Sequence, residues 1–556
     1  MSDATISNSG KRHLAGVAMA TFASFGGILL GYDTGTINGI LQMPDWLRTF
    51  GNPLLSEGTT VVHFSIPTST ESLVVSILSA GTFLGALGGA PIADICGRRT
   101  GILISCVVFC LGVALQTGAL TLPTFIAGRF FAGFGVGLIS TLVPMYQSEC
   151  SPKWIRGAVV SCWSLTITVG LLLASVINNA TKARPDHGAW RIPIAIQFVW
   201  ASILFVGMLW LPETPRWLMK EKRETSASRS LSRLTGHPPD DLTVQAELQA
   251  IREALRKEDK AGESTYRDCF RLTPNRIALR TLTSIVIQAL QQLSGITFIF
   301  YCEYPSASPF FVRKFIVPAA YADGTTFFAN AGIQNPFLVN VIVNIVNMAM
   351  TLPGIWGADR LGRRPLLLWG AAVMCICAFL VAILGAAAPV QDLAPQRAVI
   401  ALVCIYIAAF AATWGPLAWV IAGEIFPHNI RAKAISLSAA SHWLWNWAIS
   451  FAAPYLVNSG KGDAHLGEKV FFIWGSMCAA CVLFAYFCIP ETKGLSLEQV
   501  DLLYQHWSPG TARRFRKQTP EGSRNSSGME KGTVDVEKKN GGLWESAVET
   551  IPVLDV

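Results

Sequence analysis

The stretch Asp94-Ile95-Cys96-Gly97-Arg98-Arg99 returns 265 residues later as Asp359-Arg360-Leu361-Gly362-Arg363-Arg364, and each copy follows an apolar segment. Two further motifs recur in the same order and at nearly the same offset: the pairs Glu149/Arg156 and Glu424/Arg431, each seven residues apart, and the tripeptides Pro212-Glu213-Thr214 and Pro490-Glu491-Thr492. Because an internal repeat decides the architecture of a chain, the sequence predicts a six-helix unit that is used twice.

The composition is that of a membrane protein. Of the 556 residues, 51% are hydrophobic and 14% are charged, and the mean hydropathy is +0.42. Soluble domains carry about 25% charged residues, so an ordinary soluble enzyme, a disordered chain and a coiled coil are excluded. The net charge of +8 comes from Lys and Arg between the apolar runs. That pattern is typical of cytoplasmic loops rather than of a nucleic-acid-binding patch.

The apolar segments predict an all-α membrane protein with twelve transmembrane helices in two six-helix halves, because each span needs about 20 apolar residues. We place the spans at 14–40, 72–92, 101–120, 123–145, 158–180, 191–211, 278–301, 335–357, 366–388, 397–422, 433–456 and 468–489. The predicted domains are a cytoplasmic N-terminal tail (1–13), an N-terminal half (14–211), a cytoplasmic linker with surface helices (212–277), a C-terminal half (278–490) and a largely disordered cytoplasmic C-terminal tail (491–556). No cleavage-site pattern follows the first apolar stretch, so we expect a retained first helix and no signal peptide.

The repeated motifs place charges at one end of the predicted helices, and their Arg clusters assign that end to the cytoplasm. Acidic residues that face arginines there would form ion pairs between the two halves. The predicted cytoplasmic gate consists of Asp94, Arg98, Arg99, Glu149, Arg156, Asp359, Arg363, Arg364, Glu424 and Arg431. The alternative, that the arginines only set the topology, does not account for the paired acidic residues. Two repeats with a substrate site between them are how alternating-access carriers are built.

These motifs match a known pattern. The residues that carry the match are Gly97-Arg98-Arg99, Arg156-Gly157, Pro212-Glu213-Thr214-Pro215-Arg216, Gln291-Gln292-Leu293-Ser294-Gly295 and Pro490-Glu491-Thr492-Lys493-Gly494. Over residues 14 to about 505 the chain resembles the sugar porters of the major facilitator superfamily, in the version found in fungal hexose transporters. The resemblance implies a multi-pass plasma-membrane protein that takes up a monosaccharide, often with a proton, and we expect it to act as a monomer.

Asp33 and Arg129 lie within predicted spans, where a charged side chain is costly and functional by default. The two charges could neutralise each other, and protonation of Asp33 would break their pair. The family's proton symporters are similar at both positions, so we assign Asp33 as the proton carrier and Arg129 as the partner that tunes its pKa. A static structural ion pair is the alternative. The stripe of Gly27, Gly31, Gly35 and Gly39 predicts close helix packing rather than recognition.

A sugar site needs amide side chains, which both donate and accept hydrogen bonds, and an aromatic plate. The residues at the family's sugar-contacting or pocket positions are Gln291, Gln292, Asn347, Trp419, Trp443 and Asn446. This chain has Ser164, Thr297 and His442 where the family usually has amides. A charged His442 could attract a carboxylate, so we hypothesise a shifted substrate, either a different hexose or a sugar acid. Gly415-Pro416 would break its helix and allow Trp419 to move.

The seventh span is interrupted. The family reads Phe-x-Phe-Tyr-Tyr-Gly-Thr here, but residues 302–323 separate Phe298-Ile299-Phe300-Tyr301 from Gly324-Thr325. Cys302-Glu303-Tyr304 can be encoded by TGT-GAG-TAT, which contains a GTGAGT splice donor, and Ala322-Asp323 by GCA-GAT, which contains a terminal AG. Removing the bases between them restores Tyr-Tyr-Gly-Thr. We therefore hypothesise a retained intron, and a genuine extracellular insertion is the alternative.

Two functions remain open at this level: a proton-coupled sugar importer, and a sugar-sensing receptor of the same fold that scarcely transports. An enzyme is not predicted, because the sequence carries no nucleophile–base set, metal cluster or phosphate loop and implies no cofactor or metal. The partners that we expect are a sugar, a proton and the lipid bilayer, without nucleic acid.

Overall fold

The computed structural model describes residues 16–41, 43–55, 62–151, 155–261, 265–273, 275–302, 336–387, 393–427, 430–457, 464, 466, 469–493, 500 and 503–504. The side chains of Arg156 and Asp359 lie outside this description. Of the insert predicted at 302–323, only residue 302 is among the described residues. The predicted N-terminal tail (1–13) and most of the predicted C-terminal tail (491–556) also lie outside them.

The described chain is mostly helical. In the first half the helices are α1 (Gly26–Ile40), α2 (Pro44–Phe50), α3 (Thr68–Cys96), α4 (Arg98–Thr117), α5 (Leu122–Cys150), α6 (Arg156–Thr181) and α7 (Gly188–Trp210). After the linker come α11 (Ile277–Leu293), α12 (Ile296–Cys302), α13 (Pro336–Leu361), α14 (Arg363–Ala387), α15 (Leu393–Ala412), α16 (Trp414–Glu424), α17 (Arg431–Val457) and α18 (Val470–Cys488). Gly97 and Gly362 of the repeated motif both adopt left-handed φ angles of +90° and +101°, which only glycine takes readily. The motif therefore reverses the chain between two helices in each half.

Ten stretches of the described chain are long and apolar enough to cross a membrane, and two of them, Ile277–Phe300 and Ala398–Glu424, each contain a break between two helices. The first predicted span falls short because a 3-10 turn, Ala23–Phe25, separates helical residues 16–22 from α1, which has 15 residues. The eleventh predicted span corresponds to α17, a helix of 27 residues. Polar side chains interrupt its apolar sequence: Ser436, Ser438, Ser441, His442 and Asn446.

Two predicted spans are each split into two helices. Gly295, with φ +96°, separates α11 from α12. Thr413 separates α15 from α16, two residues before the break predicted at Gly415-Pro416. A break inside the hydrocarbon region frees backbone groups, which must then be satisfied by other parts of the protein.

Shorter elements lie between the long helices. In the linker, α8 (Pro215–Lys220), α9 (Glu224–Thr235) and α10 (Leu242–Ala261) pack their apolar faces into a small separate core. After α2, strands β1 (Asn52–Leu55) and β2 (Val62–Ser65) pair antiparallel with Asn52 opposite Ser65. The sequence pattern did not predict this sheet.

Most of the contact between residues 16–210 and residues 277–493, which we call the N-terminal and C-terminal halves, comes from four helices: α3 packs along α17, and α6 packs along α13. We call this contact the seam. Within the N-terminal half, the glycine stripe of α1 faces α6, and a Cβ at Gly31 would fall on the backbone carbonyl of Ile167. The stripe thus allows two backbones to approach closely, as its spacing predicts.

We expect Gly31→Ala to lower the melting temperature of the detergent-solubilised protein, because the added methyl group forces α1 and α6 apart. Gly423→Ala is the matched control, since a Cβ at Gly423 meets nothing within 4 Å, and its melting temperature should stay the same or rise slightly. Equal melting temperatures for the two variants would contradict the packing role.

Candidate functional site

The pair predicted between Asp33 and Arg129 is formed. Arg129 Nη1 lies 3.1 Å from Asp33 Oδ1 and 3.3 Å from Oδ2, and both side chains are 1% exposed. Two buried polar atoms have no hydrogen-bond partner among the described residues: Nε of Arg129 itself and Oε1 of Gln197 on α7. The pair is therefore a desolvated charge site inside the N-terminal half, while its role in proton coupling stays a prediction.

Most predicted sugar-contacting residues of the C-terminal half meet in one place. Gln288, Gln291 and Gln292 share a face of α11 because they are three and four residues apart, and His442 and Asn446 share a face of α17 for the same reason. Together with Thr297 of α12 they form what we call the amide cluster. Gln292 Oε1 accepts hydrogen bonds from the Thr297 hydroxyl and from Asn446 Nδ2, the latter at 3.0 Å.

His442 lies at the centre of the amide cluster and is buried. Its ring contacts the indoles of Trp419 and Trp443, with centroid distances of 5.2 and 4.9 Å. Its Nδ1 lies 3.0 Å from Gln288 Oε1. The imidazole therefore occupies the aromatic side of the site, where the resemblance predicts a contact with substrate.

The amide cluster also touches the other half across the seam. Ser79 of α3 donates a 2.6 Å hydrogen bond to Asn446 Oδ1, and Trp443 Nε1 donates to Ser140 Oγ of α5 at 3.1 Å. Ser164 of α6 reaches the carbonyl oxygen of Gly415 at 3.5 Å. The predicted residues of α11, α12 and α17 thus lie together with Trp419. Ser164 does not contact their side chains in these bonds; it bonds the backbone of α16.

Asn347 is buried on α13, and none of the described residues hydrogen-bonds to its side chain. Gln288, Ser79 and Ser140 were not predicted from the sequence. Gln288 could have been found, because it stands one turn before Gln291 on the same helix face. The two serines carry no such sign, since a serine in a span most often bonds its own helix.

At the arginine-rich end of the bundle, the ion pairs form within each half. Arg98 Nη2 lies 3.0 Å from Glu149 Oε1, and Arg363 Nη2 lies 2.9 Å from Glu424 Oε1. The described arginine partners of Glu149 and Glu424 thus lie in their own halves, whereas we expected acids at this end to pair with arginines of the other half. Glu149 lies in the last turn of α5 and Glu424 ends α16, and these helices contact α4 and α14, which begin at the arginines of the same half.

Glu213 and Glu491 complete the duplicated network. Glu213 accepts from the backbone N–H groups of Arg98 and Arg99, and Glu491 accepts from those of Arg363 and Arg364, at 3.0 to 3.1 Å. They satisfy the free N–H groups at the start of α4 and α14. Burial raises the pKa of the Glu213 carboxyl, although the N–H groups of Thr214 and Arg99 act in the opposite direction.

Other predicted gate residues bond differently. Arg99 Nε donates to the carbonyl of Met208 at 2.8 Å, and Arg431 donates to the carbonyl of Gly423 within its own half. Among the described residues, the ion pair that joins the two halves at this end is between Asp94 and Lys433 Nζ of α17, at 3.4 Å. Lys433 was not among the predicted gate residues.

At the opposite end, the described contacts between the halves are hydrogen bonds between uncharged groups. Ser175 of α6 donates to Asn340 Oδ1 at 2.7 Å and accepts from Asn344 Nδ2 at 2.9 Å, both on α13. Asn38 of α1 donates to the carbonyl of Phe300 at 3.4 Å. The two halves are therefore in contact at both ends and in the middle.

Comparison with known proteins gives a consistent result. The sequence profile of the family described as sugar (and other) transporters matches residues 19–306 and 319–504. The major facilitator-type transporter ecdD of Aspergillus rugulosus is 50% identical over 520 residues, covering 90% of this chain and 91% of that protein. The high glucose sensor RGT2 of Saccharomyces cerevisiae is 39% identical over 498 residues, covering 89% of this chain and 61% of the sensor. A structure of the proton:xylose symporter XylE bound to 6-bromo-6-deoxy-D-glucose is similar with a TM-score of 0.72 and 26% identity, over 89% of this chain and 100% of that one.

We expect the buried pair to respond asymmetrically to its two single substitutions. Asp33→Asn leaves a guanidinium that cannot lose its proton, so this variant should lose about 3–5 kcal/mol of stability. Arg129→Gln should lose less, because Asp33 can take up a proton, and the double variant should recover most of the loss of Asp33→Asn. Melting temperatures of the purified proteins give the comparison.

The control for this series is Arg184→Gln, which breaks the exposed pair with Asp186 and should leave the melting temperature unchanged. A double variant that melts no higher than Asp33→Asn would contradict the view that the two charges compensate each other.

Proposed function

The chain belongs to the sugar (and other) transporter family, and we propose that it is an alternating-access carrier that imports a monosaccharide across the plasma membrane, coupled to a proton. The observation that carries this proposal is the amide cluster, which is rich in donors and acceptors and touches both halves of the bundle. A site of this kind can bind a hydroxyl-rich solute and sense the separation of the halves at the same time.

The proposed architecture has twelve spans in two halves, with the arginine-rich end in the cytoplasm. The duplicated charge networks support it: Arg98 with Glu149, and Arg363 with Glu424, have nearly equal distances. Charges that pair inside each half hold that half together as a rigid body. When the seam opens, the interactions that break are then mainly hydrogen bonds between uncharged groups.

Proton coupling is assigned to Asp33 and Arg129. Their full burial means that protonation of Asp33 would leave Arg129 without its counter-charge, which destabilises the local packing of α1 against α5. A xylose symporter coupled to protons is among the structures similar to this chain. The pair thus provides a group whose protonation changes the conformational balance of the N-terminal half.

The second candidate function is sugar sensing without significant transport. The observation that favours it is the 39% identity to a glucose sensor, of which the chain spans 61%. A measurement of solute flux, rather than of binding, distinguishes transport from sensing.

The test is uptake of labelled sugars and sugar acids in transporter-null cells, with and without a proton uncoupler. We expect uptake of at least one monosaccharide above equilibrium, abolished by the uncoupler. The double variant Asp33→Asn/Arg129→Gln should equilibrate the sugar without concentrating it, and Asp186→Asn, an exposed acid, should behave as the wild type. Binding without flux in the wild type would identify a sensor, and uncoupler-resistant accumulation would overturn proton coupling.

The break in the family match between residues 306 and 319 supports the proposal that residues 302–323 come from a retained intron. We expect sequencing of the mature transcript to show Tyr301 followed directly by one tyrosine codon and Gly324. Transcripts that read through the codons of residues 302–323 without interruption would instead establish an insertion in the protein.

A further inference from the structure

The ring nitrogens of His442 have neighbours of different kinds. Nδ1 lies 3.0 Å from Gln288 Oε1 and 3.2 Å from Gln291 Oε1. Gln292 Nε2, a donor, lies 3.2 Å from both ring nitrogens. A neutral imidazole has one donor and one acceptor nitrogen, so these contacts bear on which nitrogen carries the proton.

The orientation of the Gln291 amide is fixed by the backbone. Its Nε2 donates to the carbonyl oxygens of Trp414 at 3.0 Å and Gly415 at 2.9 Å, which can only accept. A flipped amide would place Oε1 against two carbonyl oxygens, so Oε1 faces His442. The proton therefore belongs on Nδ1 of the ring.

The orientation of Gln292 follows from the ring, because a neutral imidazole that is protonated on Nδ1 leaves Nε2 as an acceptor. Asn446 Nδ2 then faces Gln292 Oε1 at 3.0 Å, and the Ser79 hydroxyl, which can either donate or accept, donates to Asn446 Oδ1. Thr297 donates to the same oxygen. Gln292 Nε2 is then left facing the ring of His442, and it requires an unprotonated nitrogen there.

The result is a hydrogen-bond chain with one direction, from Ser79 through Asn446, Gln292 and His442 to Gln291 and the start of α16. Reversing the amides of Asn446 and Gln292 would turn Gln292 Oε1, an acceptor, toward the ring, and a hydrogen bond to it from Nε2 would require the imidazolium ion. The described side chains in contact with the ring are all uncharged: Gln288, Gln291, Gln292, Trp419 and Trp443. A buried charge without a counter-charge is strongly disfavoured.

We propose that His442 is a neutral positioning residue with its proton on Nδ1, and that it selects an uncharged sugar. This inference rests on the proposed function for its substrate, and it replaces the expectation that a charged His442 attracts a sugar acid. A carboxylate in the amide cluster would lose its hydration without gaining a cation, because the described side chains around the ring are uncharged. The same chain connects α3 of one half to the break before α16 of the other, so it aligns the sugar-binding amides when the halves meet at the seam.

The first test is the ¹⁵N NMR spectrum of the histidine-labelled, full-length protein in lipid, with the His442 signals identified by their absence in His442→Gln. We expect one protonated nitrogen, Nδ1, and one bare nitrogen, Nε2, across about pH 5 to 8, the range in which an ordinary histidine titrates. Two protonated nitrogens, or a proton on Nε2, would overturn the proposal. This readout does not depend on transport.

The second test measures sugar binding by the fluorescence of the purified protein, because Trp419 and Trp443 flank the ring. We expect Ser79→Ala to weaken binding several-fold by freeing the Asn446 amide. Ser76→Ala is the matched control, since the buried Ser76 hydroxyl on the same helix has no hydrogen-bond partner among the residues that the structure describes, and it should bind as the wild type. Equal affinities for the two variants would contradict the role of the chain.

The third test compares substrates. In His442→Gln the amide restores a donor and an acceptor, so binding of the neutral sugar should be retained, whereas His442→Phe should weaken it by about tenfold or more. Uronates should not displace the sugar from the wild type. Displacement by uronates as effective as by neutral sugar would overturn the proposal, whereas sugar binding without any flux would refute only the transport function.

Discussion

The structure depends on one constraint: polar groups removed from water need partners inside the protein. This chain satisfies its charges and its uncharged polar groups in different places. The charged pairs of the membrane region and of the arginine-rich end lie mainly within one half, as Arg98 with Glu149 and Arg129 with Asp33 do. The seam is held by hydroxyl and amide groups such as Ser79, Ser175 and Asn446. A neutral hydrogen bond contributes only about 1 kcal/mol net, so the seam can separate without exposing a buried charge.

The ion pair between Asp94 and Lys433 joins the halves, and its environment explains why it is compatible with opening. Both side chains are partly exposed, at 24% and 19%, so water can replace the partner at low cost. The buried pairs are different, because breaking one leaves an uncompensated charge. In the proposed alternating-access mechanism, each half therefore moves as a unit while its internal charge network stays intact.

Much of this arrangement could be predicted from the sequence. The repeat, the positions of the apolar segments and the pair of Asp33 with Arg129 follow from motif spacing and from the rarity of charge in apolar runs. The partners of Glu149 and Glu424 could not be predicted, because spacing along the chain does not say which helices are neighbours. Ser79 and Ser140 could not either, since a small hydroxyl in a span carries no pattern. The charge state of His442 depends on amide orientations that only the assembled cluster defines.

The most direct test of alternating access is the distance between spin labels on exposed positions at the two ends of the bundle in lipid nanodiscs. One pair is placed at Ile95 and Leu361, at the arginine-rich end, and the other at Leu120 and Ile473, at the opposite end. The account predicts that sugar and proton shift the two distances in opposite directions, one lengthening as the other shortens. Distances that stay fixed, or that lengthen together, would contradict rigid halves that open to one side at a time.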